Sequence, residues 1–194
     1  MLFEVVAPFY DRFMRFAKLD YSSEMANWLA PVEGRDLLDL AGGTGINAVA
    51  LSGAGARVTV VDASGAMLAR AEAKKADIRI VRADAADLPL PDSSFDIVLV
   101  SDAWHHFRDQ GRVAGEVARV LRPGGRVYII DFDSKKFRTK YLIMLERILG
   151  EPSTFISPGE LAGVFRKRGI SGEFRYLTSN QFIYKGCKPL KIEQ

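Results

Sequence analysis

Residues Asp36–Leu51 read DLLDLAGGTGINAVAL. A short, mostly apolar run leads into Gly42, Gly43, Thr44 and Gly45 and then into small and apolar residues, the pattern of a buried strand that turns sharply into a helix. Glycine tolerates the left-handed conformations such a turn needs. With no Cβ in the way, the backbone N–H groups of the turn are expected to point outward, toward a ligand. A second apolar run, Arg57–Asp62 (RVTVVD), closes on an acid. Its two oxygens can accept hydrogen bonds from both hydroxyls of a ribose, so the two segments together predict a nucleoside-cofactor site. A turn with no ligand would leave Asp62 as an acid near a helix start, a position where Ser64 is already placed to cap.

Apolar runs alternate with helical patterns on both sides of this stretch. Strands are expected at Asp36–Ala41, Arg57–Val61, Ile78–Arg82, Asp96–Val100 and Arg126–Ile130, and helices at Ile46–Ser52, Ser64–Lys75, Gln110–Leu121 and Lys136–Leu149. Pro123, Gly124 and Gly125 mark a stop before the fifth strand. Near-continuous apolar strands separated by helices predict a doubly wound α/β fold with a mostly parallel sheet covered on both faces. Ser157-Pro158-Gly159-Glu160 is a capping box with proline at the first helical position, opening a helix over Pro158–Arg168. Glu173–Leu177 and Gln181–Lys185 read as a terminal hairpin. The first 35 residues are expected to form two short helices, around Tyr10 and Trp28.

At 194 residues the chain can build one substantial core but not two ordinary enzyme domains. A single domain over 1–194 is expected: a helical lid at 1–35, a cofactor-binding core at 36–132, and a substrate-side helix with the hairpin at 133–194. With 48% apolar and 26% charged residues it belongs with soluble globular proteins rather than disordered ones. No uninterrupted apolar run approaches the ~18 residues of a membrane span. The lone Cys187 can form neither an internal disulfide nor a zinc-type cluster, and a cytoplasmic protein is expected. The net charge of +3 is unevenly spread, with 12 Lys/Arg against 17 Asp/Glu in residues 1–118 and 15 against 7 in residues 119–194. A basic C-terminal part suits an anionic substrate, a membrane surface or nucleic acid, or is simply solvated.

Gly43, Gly45 and Ala48 fit the dinucleotide fingerprint G-x-G-x-x-G/A, which keeps an NAD(P)-dependent oxidoreductase open. The acids favour another ligand. Asp39 lies three residues before Gly42, Asp62 ends the second strand, and Asp84 follows the third in Arg82-Ala83-Asp84-Ala85. Carboxylates on three successive strands repel a pyrophosphate and suit a cation carrying a ribose and an adenine. S-adenosyl-L-methionine, with its sulfonium and ammonium groups, is such a ligand. The fourth strand then delivers Ser101-Asp102-Ala103-Trp104-His105-His106-Phe107 at its carboxyl end, where open α/β sheets place ligands.

LDLAGGTG, the following VVDAS, and ADAADLPLPDSSFDIVLVS leading to LRPGGRVYIID resemble class I S-adenosylmethionine-dependent methyltransferases, and within them the ubiquinone/menaquinone biosynthesis C-methyltransferases. APFYDRFMRF, with Trp28 downstream, is similar to that family's opening segment. The resemblance covers roughly residues 7–132. It implies a seven-stranded sheet whose last strand is antiparallel. It also implies that Asp39 and Gly42, Gly43, Thr44 and Gly45 hold the methionine end, Asp62 the ribose, Asp84 and Ala85 the adenine, and Ser101 the edge near the methyl group, with S-adenosyl-L-homocysteine as the product; Ala63, Met67 and Tyr10 are further expected cofactor-binding residues. Tyr10 is expected in the lid. Where the quinone enzymes carry an Arg-Asn pair, this chain has His105 and His106.

His105 and His106 are the only histidines, and an imidazole suits a base acting near neutral pH. In extended backbone their side chains would point to opposite faces, leaving one structural; no metal site is expected. Phe9, Tyr10, Phe13, Trp104, Phe107, Tyr141, Met144 and Phe155 can line an apolar acceptor pocket. The expected activity is therefore methyl transfer to a small, apolar or aromatic acceptor. No DNA partner is expected. A non-catalytic or RNA-binding module remains an alternative, although the aromatic, Arg-rich strip that RNA binding wants is missing. The segment KKFRTKYLIMLERIL (135–149) is a basic amphipathic helix, either packed on the sheet with a wet basic face or in peripheral contact with a membrane.

Overall fold

The computed structural model describes residues 7–16, 20–29, 31–148 and 153–190. Among them seven strands make a mostly parallel sheet with helices between the strands, the doubly wound arrangement the sequence predicts. The chain divides into two compact units, Met1–Ala85 and Ala86–Gln194.

In the first unit a short 3-10 turn at Ala7–Phe9 precedes α1 (Tyr10–Phe16) and α2 (Ser22–Leu29). β1 (Asp36–Leu40), α3 (Ile46–Gly53), β2 (Arg57–Asp62), α4 (Gly65–Ala73) and β3 (Ile78–Arg82) follow. The strands lie in the order β3-β2-β1 and are all parallel, with Asp39 opposite Val60 and Asp62 opposite Arg82. Leu37, Leu38 and Leu40 of β1 and Val60 and Val61 of β2 are fully buried, as strands covered on both faces require. α2 packs on α3 through Met25 and Leu29, both buried. Ser64 accepts a hydrogen bond from the Met67 N–H and caps α4, as its position suggests.

The second unit runs β4 (Phe95–Ser101), a 3-10 turn at Trp104–His106, α5 (Gln110–Val120), β5 (Leu121–Phe132), α6 (Phe137–Ile148), α7 (Pro158–Arg166), β6 (Ser171–Tyr176) and β7 (Gln181–Cys187). The predicted end of α6 at Leu149 lies outside the described residues. β4 and β5 are parallel, while β7 is antiparallel to both β5 and β6. β7 thus lies between strands that precede it in the chain.

β5 begins five residues earlier than the sequence suggests, and Pro123-Gly124-Gly125 lies inside it. The cause is tertiary: the Gly124 N–H donates to the Lys188 carbonyl and the Lys188 N–H to the Gly125 carbonyl, which extends the ladder. A Cβ on Gly125 would stand 2.8 Å from the Arg122 carbonyl oxygen, so the close approach needs glycine. The expected helix over Ser157 carries its complete capping box, with the Ser157 N–H donating to Glu160 at 2.7 Å.

Candidate functional site

In the first unit the glycine loop is built around two acids. Asp39, near the end of β1, is 1% exposed. A Cβ on Gly42 would come within 2.7 Å of its carboxyl carbon, so glycine alone lets the loop close over that acid. Asp62, at the end of β2, accepts from the Gly43 N–H at 2.9 Å and from the Ser64 N–H at 2.8 Å. Each of its oxygens holds one strand-end turn in place. Removing this carboxylate would therefore loosen the loop as well as strip an acceptor from the site.

These bonds correct the expectation that the loop's N–H groups point outward to a ligand. The Gly42 N–H donates to Val61, Gly43 to Asp62 and Gly45 to Gly42, all inside the protein. Thr44 is buried, and its hydroxyl donates to Asp11 of α1. Lys74, just past α4, joins the same cluster, reaching Asp11 and the Thr44 carbonyl at 2.7 Å each. Burial raises the Asp11 carboxyl, but the Lys74 and Thr44 hydrogen bonds outweigh it and hold the group below its ordinary value. The N-terminal helix is thus tied to the glycine loop by residues that sequence reasoning missed; Asp11 lies in the quoted APFYDRF, but nothing in its spacing announces the partner 33 residues away.

Neither Asp39 oxygen makes a hydrogen bond among the described residues, although the Ala48 N–H lies where it favours the anion. Burial first and the Asp62 charge second push the Asp39 carboxyl up to about 7. A buried acid in this state either holds a proton or pairs with a cation. Gly43, at φ +55°, has open space where a side chain would be, so a ligand can lie against its backbone. Of the remaining first-unit residues, Ala63 and Asp84 follow the ends of β2 and β3 and are exposed, Ala85 is buried, Met67 is buried in the first turn of α4, and Tyr10 is half-buried on α1. Arg82 donates to the Ala63 carbonyl at 3.2 Å and fastens the end of β3 to the 63–65 turn.

In the second unit the sequence places Ser101 and both histidines correctly at the carboxyl end of β4, but not their relation. Residues 104–106 form a 3-10 turn rather than extended backbone, so the two imidazoles do not diverge; their centroids are 4.1 Å apart. His105, 3% exposed, presents both its backbone N–H and Nδ1 to Asp131, at 2.9 and 2.7 Å. Its ring stacks on Phe155 at 4.0 Å. A carboxylate at Nδ1 fixes the proton there and makes Nε2 the basic nitrogen. Asp131 closes β5 in YIIDF, and the strand-end rule that finds Asp62 would have found it.

Ser101 lies 3.4 Å from Asp102, whose carboxylate also accepts from Gln181 at 2.5 Å. Asp102 has φ +51°, a strained conformation for a non-glycine residue. Burial, then the charge of Asp131, push its carboxyl up to about 7. Of the proposed pocket aromatics, Trp104 is core: 1% exposed and packed on Phe107 and Phe165. Phe9, Tyr141 and Met144 are exposed, and the Phe13 side chain lies outside the described residues. No metal-holding group of His, Cys, Asp or Glu occurs among the described residues.

A family profile described as a methyltransferase domain matches residues 38–129. The demethylmenaquinone methyltransferase of Thermus thermophilus is 32% identical, across 98% of this chain and 87% of its own length. A ubiquinone/menaquinone biosynthesis C-methyltransferase of Paracoccus denitrificans is 42% identical over 58% of this chain, a match spanning about half that relative (48%). Among solved structures, a SAM-dependent methyltransferase from Thermotoga maritima superposes with a TM-score of 0.79 at 26% identity, covering 96% of this chain and 98% of its own.

Proposed function

Because this chain belongs to the class I S-adenosylmethionine-dependent methyltransferases of the ubiquinone/menaquinone type, we propose that it methylates a small, apolar or aromatic acceptor, with residues 1–194 acting as one methyltransferase domain. When bound, S-adenosyl-L-methionine supplies a methyl group on a sulfonium, open to direct displacement by a nucleophile. The observation that carries the assignment is the pairing of the buried Asp39 with a glycine loop in which the Gly42, Gly43 and Gly45 N–H groups are already bonded inside the protein. A dinucleotide pyrophosphate wants free N–H donors and no buried acid beneath them. An ammonium group wants the reverse.

In this assignment Asp39 accepts from the methionine ammonium, with Gly42, Gly43, Thr44 and Gly45 shaping that end of the site. Asp62 accepts from the ribose hydroxyls, Ala63 and Met67 flank it, and Asp84 and Ala85 meet the adenine. Ser101 stands at the methyl edge, and Tyr10, on the helix anchored through Asp11, belongs to the lid. Where the acceptor must lose a proton, Nε2 of His105, oriented by Asp131, takes it, with His106 beside it as the second candidate. The relatives' names support a quinone-ring acceptor; the His105-His106 pair, in place of Arg-Asn, supports a different nucleophile of the same apolar class.

Calorimetric titration with S-adenosylmethionine, S-adenosylhomocysteine and NADH tests the cofactor assignment. Binding of both S-adenosyl ligands and not NADH is expected, whereas tight NADH binding with neither of the others overturns it. Transfer of a labelled methyl group across quinone precursors, thiols, amines, arsenite and RNA then identifies the acceptor.

A further inference from the structure

We propose that α6 docks the protein on an anionic lipid surface. Its outer face carries Phe137, Tyr141 and Met144, spaced as successive turns of one stripe and exposed by 70%, 59% and 53%. Thr139, on the opposite side, is fully buried, so the first turn of the helix is seated on that side and the stripe lies on the exposed one. The Phe137 and Tyr141 rings pack edge to face at 5.3 Å, making one apolar ridge of the first two positions.

Charge frames the ridge. At about 100° per residue, Arg138 falls on one margin of the stripe and Lys140 and Arg147 on the other, and all three are exposed. Exposed Lys135 stands just ahead of the helix, and Lys136 lies 4.5 Å over the ring of Tyr176, itself a partly exposed aromatic beside Phe174. Apolar rings flanked by long cationic side chains match a membrane interface: the rings enter the acyl boundary while the cations reach headgroup phosphates. A nucleic acid would be met by cations along the middle of the face, where Phe137, Tyr141 and Met144 stand instead. At 12 residues the helix is far too short to span a bilayer, and no described helix is long and apolar enough to do so. α6 therefore lies along the surface.

The proposal goes beyond the methyl-transfer assignment and is independent of it, since it is tested without cofactor or acceptor. The purified full chain is sedimented with vesicles of phosphatidylcholine alone and of phosphatidylcholine mixed with phosphatidylglycerol, with single-stranded RNA titrated in parallel. Binding to the anionic vesicles only is expected, reversed by salt. Phe137→Ser with Tyr141→Ser should weaken it by about tenfold or more, because two apolar side chains are lost from the inserted face. Arg138→Glu with Lys140→Glu should weaken it comparably while leaving the ridge intact. Circular dichroism checks that both pairs of exposed substitutions keep the fold. Equal binding to neutral vesicles, no binding to anionic ones, unchanged binding by both variants, or RNA binding in place of vesicle binding overturns the proposal.

Discussion

Asp39 is an acid whose folded pKa, about 7, lies above its ordinary 3.8. Between those values the folded protein binds a proton that the unfolded chain has released, so this group's contribution to stability falls as pH rises from about 4 to about 7. A bound ammonium reverses the preference. S-adenosylhomocysteine should bind more tightly as pH rises from about 6 to about 8 and should release a proton near neutrality, measurable by calorimetry in buffers of different ionisation enthalpy. Methylthioadenosine, which lacks the ammonium, should show neither effect, and Asp39→Asn should flatten the profile for S-adenosylhomocysteine. His105→Ala should leave cofactor affinity intact and lower kcat by roughly 10²-fold if His105 is the base. Asp131→Asn should lower kcat less and shift its pH profile, since the imidazole loses the carboxylate that fixes its tautomer. Asp62 was legible because an acid closing an apolar strand stands out in a sequence, and Asp39 because it lies within such a strand three residues before the glycine turn. Asp131 obeys the same rule, whereas Gln181, which holds Asp102 across 79 residues, leaves no local sign.

The helices and strands were legible where local chemistry decides them. Ser157 and Glu160 announce the start of α7, and removing the cap with Ser157→Ala should cost about 1 kcal/mol, read as a lower midpoint in urea at unchanged slope. β3 matches its expected bounds, its whole length pairing with the apolar run of β2. β5 does not, because its first residues become strand through pairing with Phe95 of β4 and with Lys188, which sequence periodicity cannot see. Lys188 has a second role that only folding reveals: its Nζ donates to the Ala118 and Leu121 carbonyls at 2.7 Å each, satisfying the end of α5. The histidine turn was misjudged for a related reason. Its compact backbone depends on the Asp131 carboxylate accepting from His105, a contact made by another strand.

For the molecule as a whole, any ligand that binds only the folded chain stabilises it. At 100 times its dissociation constant, S-adenosylhomocysteine should add about 2.7 kcal/mol, and hence raise the thermal midpoint by roughly 5–11 °C; scanning calorimetry with and without the ligand reads this directly, and NADH should give no shift. The fold class and the cofactor-side acids followed from the alternation of strands and helices. The internal bonding of the glycine loop did not, since the partners of its N–H groups and of the Thr44 hydroxyl are fixed only once β2 and α1 have packed. The placement of β7 bears on how the protein is made. β5 gains its second neighbour, and β6 its one neighbour among the described strands, from a strand synthesised after both. At about 5–20 residues per second, a ribosome takes several seconds to extend the chain from the end of β5 through β7. During that interval the free edge of β5 is bare on the nascent chain and open to mispairing, which makes the second unit the stage of biosynthesis at which a chaperone has most to protect.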